Sequence, residues 1–262
     1  MKYAIVDAFT QRAFSGNPAA VCLMESPLPD HLMQALAAEF NLSETAFVFP
    51  LQSNRWSLRW FTPTTEVNLC GHATLAAGHV LISEQKEASP LVCFETRSGD
   101  LWVEQYRQGY RLKLPITHCT PLASDALPNS LALQTVRAAR AGEDWLIELA
   151  SAQAVRDFVP PLADITALPI RGLIVTAQGE DCDIVSRFFA PAAGINEDPV
   201  TGSAHCALSD YWQDSIATRP IRARQLSKRG GELEVAAKDQ SVWLTGDAVT
   251  VMTGQIRSEW LT

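Results

Sequence analysis

Along most of this chain the apolar residues gather into short stretches of strand length, set apart by proline, glycine and clustered polar residues. In the first half Tyr3 to Phe9, Ala19 to Leu23, Thr45 to Phe49 and Trp56 to Phe61 read as strands, and so do Leu91 to Glu95, Leu101 to Tyr106 and Tyr110 to Leu114. Arg107-Gln108-Gly109 joins the last two as a hairpin. Two windows differ. Asp30 to Phe40 has the spacing of an amphipathic helix, whereas His72 to Ile82, directly after Gly71, is rich in helix formers and apolar on nearly every face. A helix without a polar face has to be enclosed by protein. The second half follows the same plan, with strands at Gly172 to Thr176 and Asp183 to Phe189 and an apolar helix from Gly202 through Cys206 and Leu208 to Trp212. Strands at Arg222 to Leu226, Glu232 to Ala236, Val242 to Leu244 and Ala248 to Thr253 close it. Each half thus predicts a sheet around one buried helix.

The likeness of the halves extends to their wording. Arg59-Trp60-Phe61-Thr62-Pro63 returns as Arg187-Phe188-Phe189-Ala190-Pro191, an offset of 187 − 59 = 128. Cys70-Gly71-His72-Ala73 returns as Thr201-Gly202-Ser203-Ala204 at 202 − 71 = 131, a small insertion later. Arg97-Ser98-Gly99-Asp100-Leu101 answers Arg229-Gly230-Gly231-Glu232-Leu233 at 229 − 97 = 132. A period near half of 262 residues predicts two homologous domains in tandem, since solenoid repeats run to roughly 20–50 residues. The expected domains are residues 1–118 and 119–262, with the last strand able to return to the N-terminal domain and a linker near Pro115 to Ser130. Ligand sites favour clefts between domains, so each repeated loop is expected to supply one wall.

An apolar content of 47% with 19% charged residues is that of a globular chain long enough to bury two cores. A net charge of −8 argues against a nucleic-acid partner, which needs a basic face. Met1 to Asp7 lacks a signal-peptide pattern and no apolar run approaches a membrane span, so the expectation is a soluble, cytoplasmic protein with no membrane partner. The six cysteines are scattered, unlike a disulfide scaffold or a zinc ribbon, and all but Cys70, which sits inside a repeated loop, read as buried thiols.

Chemistry concentrates in three places. Gly71-His72-Ala73 and Gly202-Ser203-Ala204 each open a buried helix, where N–H groups and a partial charge of roughly +0.5 suit a carboxylate ligand. Either alone reads more readily as a turn and cap; their duplication at matching positions reverses that preference. Glu197-Asp198-Pro199-Val200-Thr201-Gly202-Ser203-Ala204-His205 packs two carboxylates, two hydroxyls and an imidazole into nine residues, and Pro199 holds Asp198 extended. A cap on the helix start is the lesser alternative for Asp198. Glu44 stands at the mouth of an apolar strand, where a carboxylate is suited to proton transfer near neutral pH; a solvated strand-end glutamate is the bland alternative. His79 and His205 read as core histidines.

At Ser43-Glu44-Thr45-Ala46-Phe47, Cys70-Gly71-His72-Ala73-Thr74 and Glu197 to Ala204 the chain resembles the PhzF family of phenazine-biosynthesis-like isomerases. Val6-Asp7-Ala8-Phe9-Thr10, Gly16-Asn17-Pro18-Ala19 and Arg187 to Pro191 extend the resemblance. It implies an α+β, diaminopimelate epimerase-like fold, with two homologous domains each having a curved, mostly antiparallel sheet wrapped around a central helix. It also implies cofactor-free and metal-free acid/base chemistry on a small carboxylated substrate, of the kind that isomerises trans-2,3-dihydro-3-hydroxyanthranilate, in a homodimer. The implied catalytic residues are Glu44, His72 and Asp198, and Ser43, Gly71, Ala73, Gly202 and Ser203 fall at substrate-binding positions. Related epimerases pair two cysteines; Cys70 fits one, but the repeat sets Thr201 at the other, which argues against a two-thiol mechanism. Two rival readings are a hydrolase or lyase using Ser203, His72 and Asp198, which lacks the Gly-X-Ser-X-Gly elbow, and a binding protein without turnover. The histidines show no zinc-ligand spacing.

Overall fold

The computed structural model describes residues 1–52, 54–84, 89–216, 220–257 and 259. In chain order the elements of the first half are β1 (Lys2–Ala8), β2 (Asn17–Leu23), α1 (Asp30–Phe40), β3 (Glu44–Gln52), β4 (Arg55–Phe61), β5 (Glu66–Val67), α2 (Gly71–His79), β6 (Leu91–Thr96), β7 (Gly99–Tyr106) and β8 (Gly109–Pro115). They are followed by β9 (Cys119–Pro121), α3 (Asn129–Ala132), β10 (Arg137–Ala141), β11 (Asp144–Glu148), α4 (Ala152–Asp157), α5 (Leu162–Ala167), β12 (Leu173–Gln178), β13 (Ile184–Ala190) and β14 (Ile195–Asp198). Then come α6 (Gly202–Tyr211), β15 (Ile221–Gln225), β16 (Gly231–Lys238), β17 (Ser241–Gly246) and β18 (Ala248–Gln255). The chain divides into two compact units, residues 1–114 with 245–262, and residues 115–244.

In the first unit β1–β2, β3–β4, β4–β5, β6–β7 and β7–β8 pair antiparallel, β18 lies antiparallel on β1, and β2–β3 and β4–β6 are parallel. Parallel neighbours need a crossover. α1 makes the β2–β3 crossover, and α2 lies on the β4–β6 path. The second unit repeats six of these pairings: β10–β11, β12–β13, β13–β14 and β15–β16 are antiparallel, and β11–β12 and β13–β15 are parallel. α4 and α5 occupy the place of α1, and α6 that of α2. The strand flanking β10 is β9, where β18 flanks β1.

Burial follows from this layering. In the first unit α2 packs on β1, β2, β3, β7 and β18, and eight of its nine residues, Gly71 to Gly78, are buried. α1 covers another part of the sheet through Met33 and Ala37, which join Cys22, Phe47 and Phe61. Strands covered on both faces bury consecutive residues, as in Thr45 to Val48 of β3 and Leu173 to Ala177 of β12. That is why these segments read as apolar runs rather than alternations. In the second unit α4 and α5 set Val155 and Ile165 into a core with Ile147, Val175 and Phe189.

Two expectations need correction. α2 ends at His79 and the chain continues to Glu84 as a π-helical turn, instead of running as one α-helix to Ile82. The stretch from Pro115 to Ser130 carries β9, a 3-10 turn at Ser124–Ala126 and the start of α3, so it is structured. Among the described residues no helix is long and apolar enough to cross a membrane.

Candidate active site

In the first unit α1 ends on Asn41 in the left-handed region (φ 50), which turns the chain back into the sheet and makes Glu44 the first residue of β3. Glu44 stands in parallel register beside Ala19, with its side chain 14% exposed. The loop after β5 brings Cys70 to the start of α2 in an extended conformation, and no side chain caps the helix there. Thr74 instead donates its hydroxyl back to the Cys70 carbonyl at 2.5 Å. His72 then falls in the first helical turn, buried, with Nε2 3.4 Å from Glu44 Oε2.

The state of this imidazole is set by its neighbours. Burial pushes its pKa down to about 3, so it is neutral at ordinary pH. Nδ1 lies 3.2 Å from the side-chain amide nitrogen of Asn17 and 3.5 Å from Cys70 Sγ. An amide N–H can only donate, so Nδ1 accepts and the ring's one proton sits on Nε2, facing Glu44. Ser43 precedes Glu44 and is partly buried; Gly71 is buried in the first turn and Ala73 is fully buried.

In the second unit Asp198 ends β14, paired with Phe188 of β13. Its carboxylate accepts a short hydrogen bond from the Thr201 hydroxyl. Gln225, fully buried, locks the loop: its side-chain oxygen accepts from Thr201 N–H at 2.8 Å, and its amide donates to the Asp198 carbonyl at 2.7 Å. Ser227 donates to the Pro199 carbonyl at 2.8 Å. Thr201 is the extended residue before α6, so Gly202 and Ser203 open that helix as Gly71 and His72 open α2. Asp198 therefore binds the hydroxyl of the residue before the helix.

Sequence reasoning missed Arg171. Its guanidinium is held by Asp144 through two hydrogen bonds, stacks 5.3 Å from the centre of the Phe188 ring, and donates to Ser203 Oγ at 3.0 Å. Thr45 pairs with Phe61 in one unit and Leu173 with Phe189 in the other, which puts Gly172 where the first unit has Glu44. A Cβ on Gly172 would sit 2.3 Å from the Phe188 ring, so no acidic side chain fits there. Arg171 takes the place of Ser43. The first unit thus carries a carboxylate beside a neutral imidazole, and the second a carboxylate, two hydroxyls and a guanidinium at a helix start. The signal was available, because extending the offset of 128 upstream sets Ser43 on Arg171 (171 − 43). Asn17 lay in a quoted motif without a role; Asp144 and Gln225 carried no signal.

Glu44, Cys70 and His72 offer a carboxylate oxygen, a sulfur and a ring nitrogen all within 4.8 Å of one another. His205 is fully buried, donating from Nδ1 to the Thr201 carbonyl at 2.7 Å, and His79 bonds Tyr110 and Thr250.

A duplicated α+β unit with a central crossover helix is the diaminopimelate epimerase-like architecture. At 13% identity and a TM-score of 0.64, a probable proline racemase from Agrobacterium radiobacter shares the fold, over 98% of this chain and 93% of that one. The family model described as phenazine biosynthesis-like protein matches residues 6–254, and the chain belongs to that family. An uncharacterized isomerase of Pseudomonas aeruginosa is 45% identical over 98% of both chains. A crystal structure of a PhzF-family phenazine biosynthesis protein from Enterococcus faecalis superposes with a TM-score of 0.92 at 38% identity, covering 98% of each chain.

Proposed function

We propose that the protein is an isomerase that moves a proton between two carbons of a small carboxylated substrate, without a cofactor. Glu44 removes the proton and returns it. The neutral Nε2–H of His72 donates to charge that develops as the proton leaves, and Asp198 orients the substrate. The first turn of α6, with Ser203 held by Arg171, binds the substrate carboxylate, for which cationic and N–H donors are the natural partners. The isomerase name carried by the 45% identical relative supports the reaction class, and the resemblance to dihydro-hydroxyanthranilate isomerase supports a cyclic, dihydroaromatic acid as substrate.

The observation that carries this reading is the facing of Glu44 by an imidazole kept uncharged by burial. A cation in that place would hold the carboxylate in its weakly basic form, whereas a neutral donor leaves it free to cycle. The serine-nucleophile alternative is disfavoured by Ser203's partner: a guanidinium donates to its hydroxyl and cannot take its proton.

Deuterium uptake from D₂O into dihydroaromatic carboxylates, measured beside ligand affinity, tests the proposal. Glu44→Gln keeps shape and hydrogen bonding but cannot act as a base, so exchange is expected to fall by a factor on the order of 10²–10⁴ with affinity little changed. An exchange rate equal to that of the unaltered protein would reject Glu44 as the base.

A further inference from the structure

The neighbourhood of Glu44 holds one more donor than proton transfer needs. Besides His72 Nε2 facing Glu44 Oε2 at 3.4 Å, Cys70 Sγ lies 3.5 Å from the imidazole's other nitrogen, and one donor atom from each residue falls within 4.8 Å of the other two. His72 Nε2 is buried and has no hydrogen-bond partner among the described residues. Zinc bonds of about 2.0–2.2 Å to nitrogen or oxygen and 2.3 Å to sulfur put two tetrahedral ligands about 3.3–3.5 Å apart. Glu44 Oε2 already stands at that spacing from His72 Nε2, and Cys70 Sγ, now beside Nδ1, has to swing toward Nε2 to complete the trio. A thiolate, an imidazole and a carboxylate also form a donor set for zinc and similar borderline-soft cations, while magnesium and calcium prefer oxygen alone. The start of α2 opposes a cation with roughly half a positive charge, but two anionic ligands outweigh it.

We propose that Glu44, Cys70 and His72 form an inhibitory binding site for a borderline-soft divalent cation, with zinc as the reference case. The cation takes the Nε2 lone pair and the ring's single proton moves to Nδ1. There Asn17, 3.2 Å away, turns its side-chain carbonyl oxygen to accept it, as a metal-bound imidazole's second N–H commonly requires. The thiol proton of Cys70 passes to solvent, and no electron changes hands. Because the cation occupies a lone pair of Glu44, inhibition rests on the proton-transfer reading, whereas binding does not.

Binding is therefore tested without substrate, on the full chain kept reduced. Calorimetry with zinc chloride is expected to give one site per chain, weakened at least tenfold by Cys70→Ser and by His72→Gln. Cobalt(II) is expected to show tetrahedral bands with a thiolate charge-transfer absorption that Cys70→Ser abolishes. Another thiol and imidazole meet where His118 contacts Asp210 at 2.9 Å and Cys119 N–H donates to the same carboxylate at 2.8 Å. The double variant His118→Gln, Cys119→Ser is expected to bind zinc like the unaltered protein. Binding lost in that double variant, or kept in both Cys70→Ser and His72→Gln, would overturn the site. Should a variant fail to fold, the unaltered protein's cobalt spectrum decides: a thiolate-free octahedral spectrum counts against the proposal and a tetrahedral thiolate one for it. Deuterium exchange in metal-free buffer reports on Glu44 as a base, so the two ideas can fail separately.

Discussion

Two imidazoles, His72 and His205, are sealed into the helix starts of their units, and each is kept neutral by burial. His72 is pushed down to about 3, and His205 to about 4 against the opposing pull of its bond to the Thr201 carbonyl. In the unfolded chain both protonate near 6.5. Above that value neither state binds the proton and these residues give no pH dependence. As pH falls below 6.5 the unfolded chain gains protons that the folded one refuses, so stability drops by up to about 1.4 kcal/mol per pH unit for each residue until the folded pKa is reached. His118 shifts the other way through its Asp210 hydrogen bond, but its contribution is already complete below 6.5. Urea midpoints measured from pH 6.5 to 4.5 are expected to fall steadily, and His205→Gln to remove about half of the slope. A flat profile would mean that these rings are protonated in the fold. The legibility of the site divides at this scale as well. Glu44 stood out at the mouth of an apolar strand, His72 at the start of an apolar helix and Asp198 in a dense polar loop before another, whereas Arg171 sits in a Pro-Ile-Arg-Gly turn of ordinary surface-loop composition.

Among the elements α2 is the tightest fit. A Cβ on Gly78 would lie 2.3 Å from Val103 Cγ1 on β7, so the helix rests on the strand at a point where only hydrogen fits. Gly78→Ala gains about 1 kcal/mol of helix propensity but forces overpacking, typically about 1–3 kcal/mol with no easy relief against a fully buried β-branched residue. Net destabilisation in urea unfolding is expected, with Val103→Ala recovering part of it in the double variant; additive effects would show that the two do not touch. α2 and α6 could be read from sequence because a helix without a polar face is unusual. β10 could not: Arg137-Ala138-Ala139-Arg140-Ala141 has little strand propensity and exists by pairing with β9 and β11. α4 and α5, six residues each, are shorter than the window in which helical periodicity can be seen. The step in the repeat offset, 131 − 128 = 3, now has a physical form. It is the 3-10 turn Pro191–Ala193, closed by Gly194 at φ 81, and it lies inside the second copy of one ion pair: Arg187 and Glu197 are ten residues apart where Arg59 and Glu66 are seven.

At the level of the molecule, duplication could be read from three offsets because the repeated segments, a strand end, a helix start and a hairpin turn, keep their wording where backbone geometry constrains the residues. The matching strand pairings could not, since registers follow from packing between segments far apart in sequence. One pairing has a consequence for how the protein is made. β1 is hydrogen-bonded on one side to β2 and on the other to β18, whose partner residues come after the whole of the second unit. The second unit, unbroken from 115 to 244, has its sequence complete first; the first unit waits with β1 as an open edge. Domains ordinarily fold in the order in which they leave the ribosome. For this chain the order is inverted. Nascent chains stalled before Ala248 is exposed are expected to protect the amides of β11, β12 and β13 from hydrogen exchange while those of β1 that face β18 still exchange. During that interval the cell carries an unpaired strand that must be kept from neighbouring polysomes.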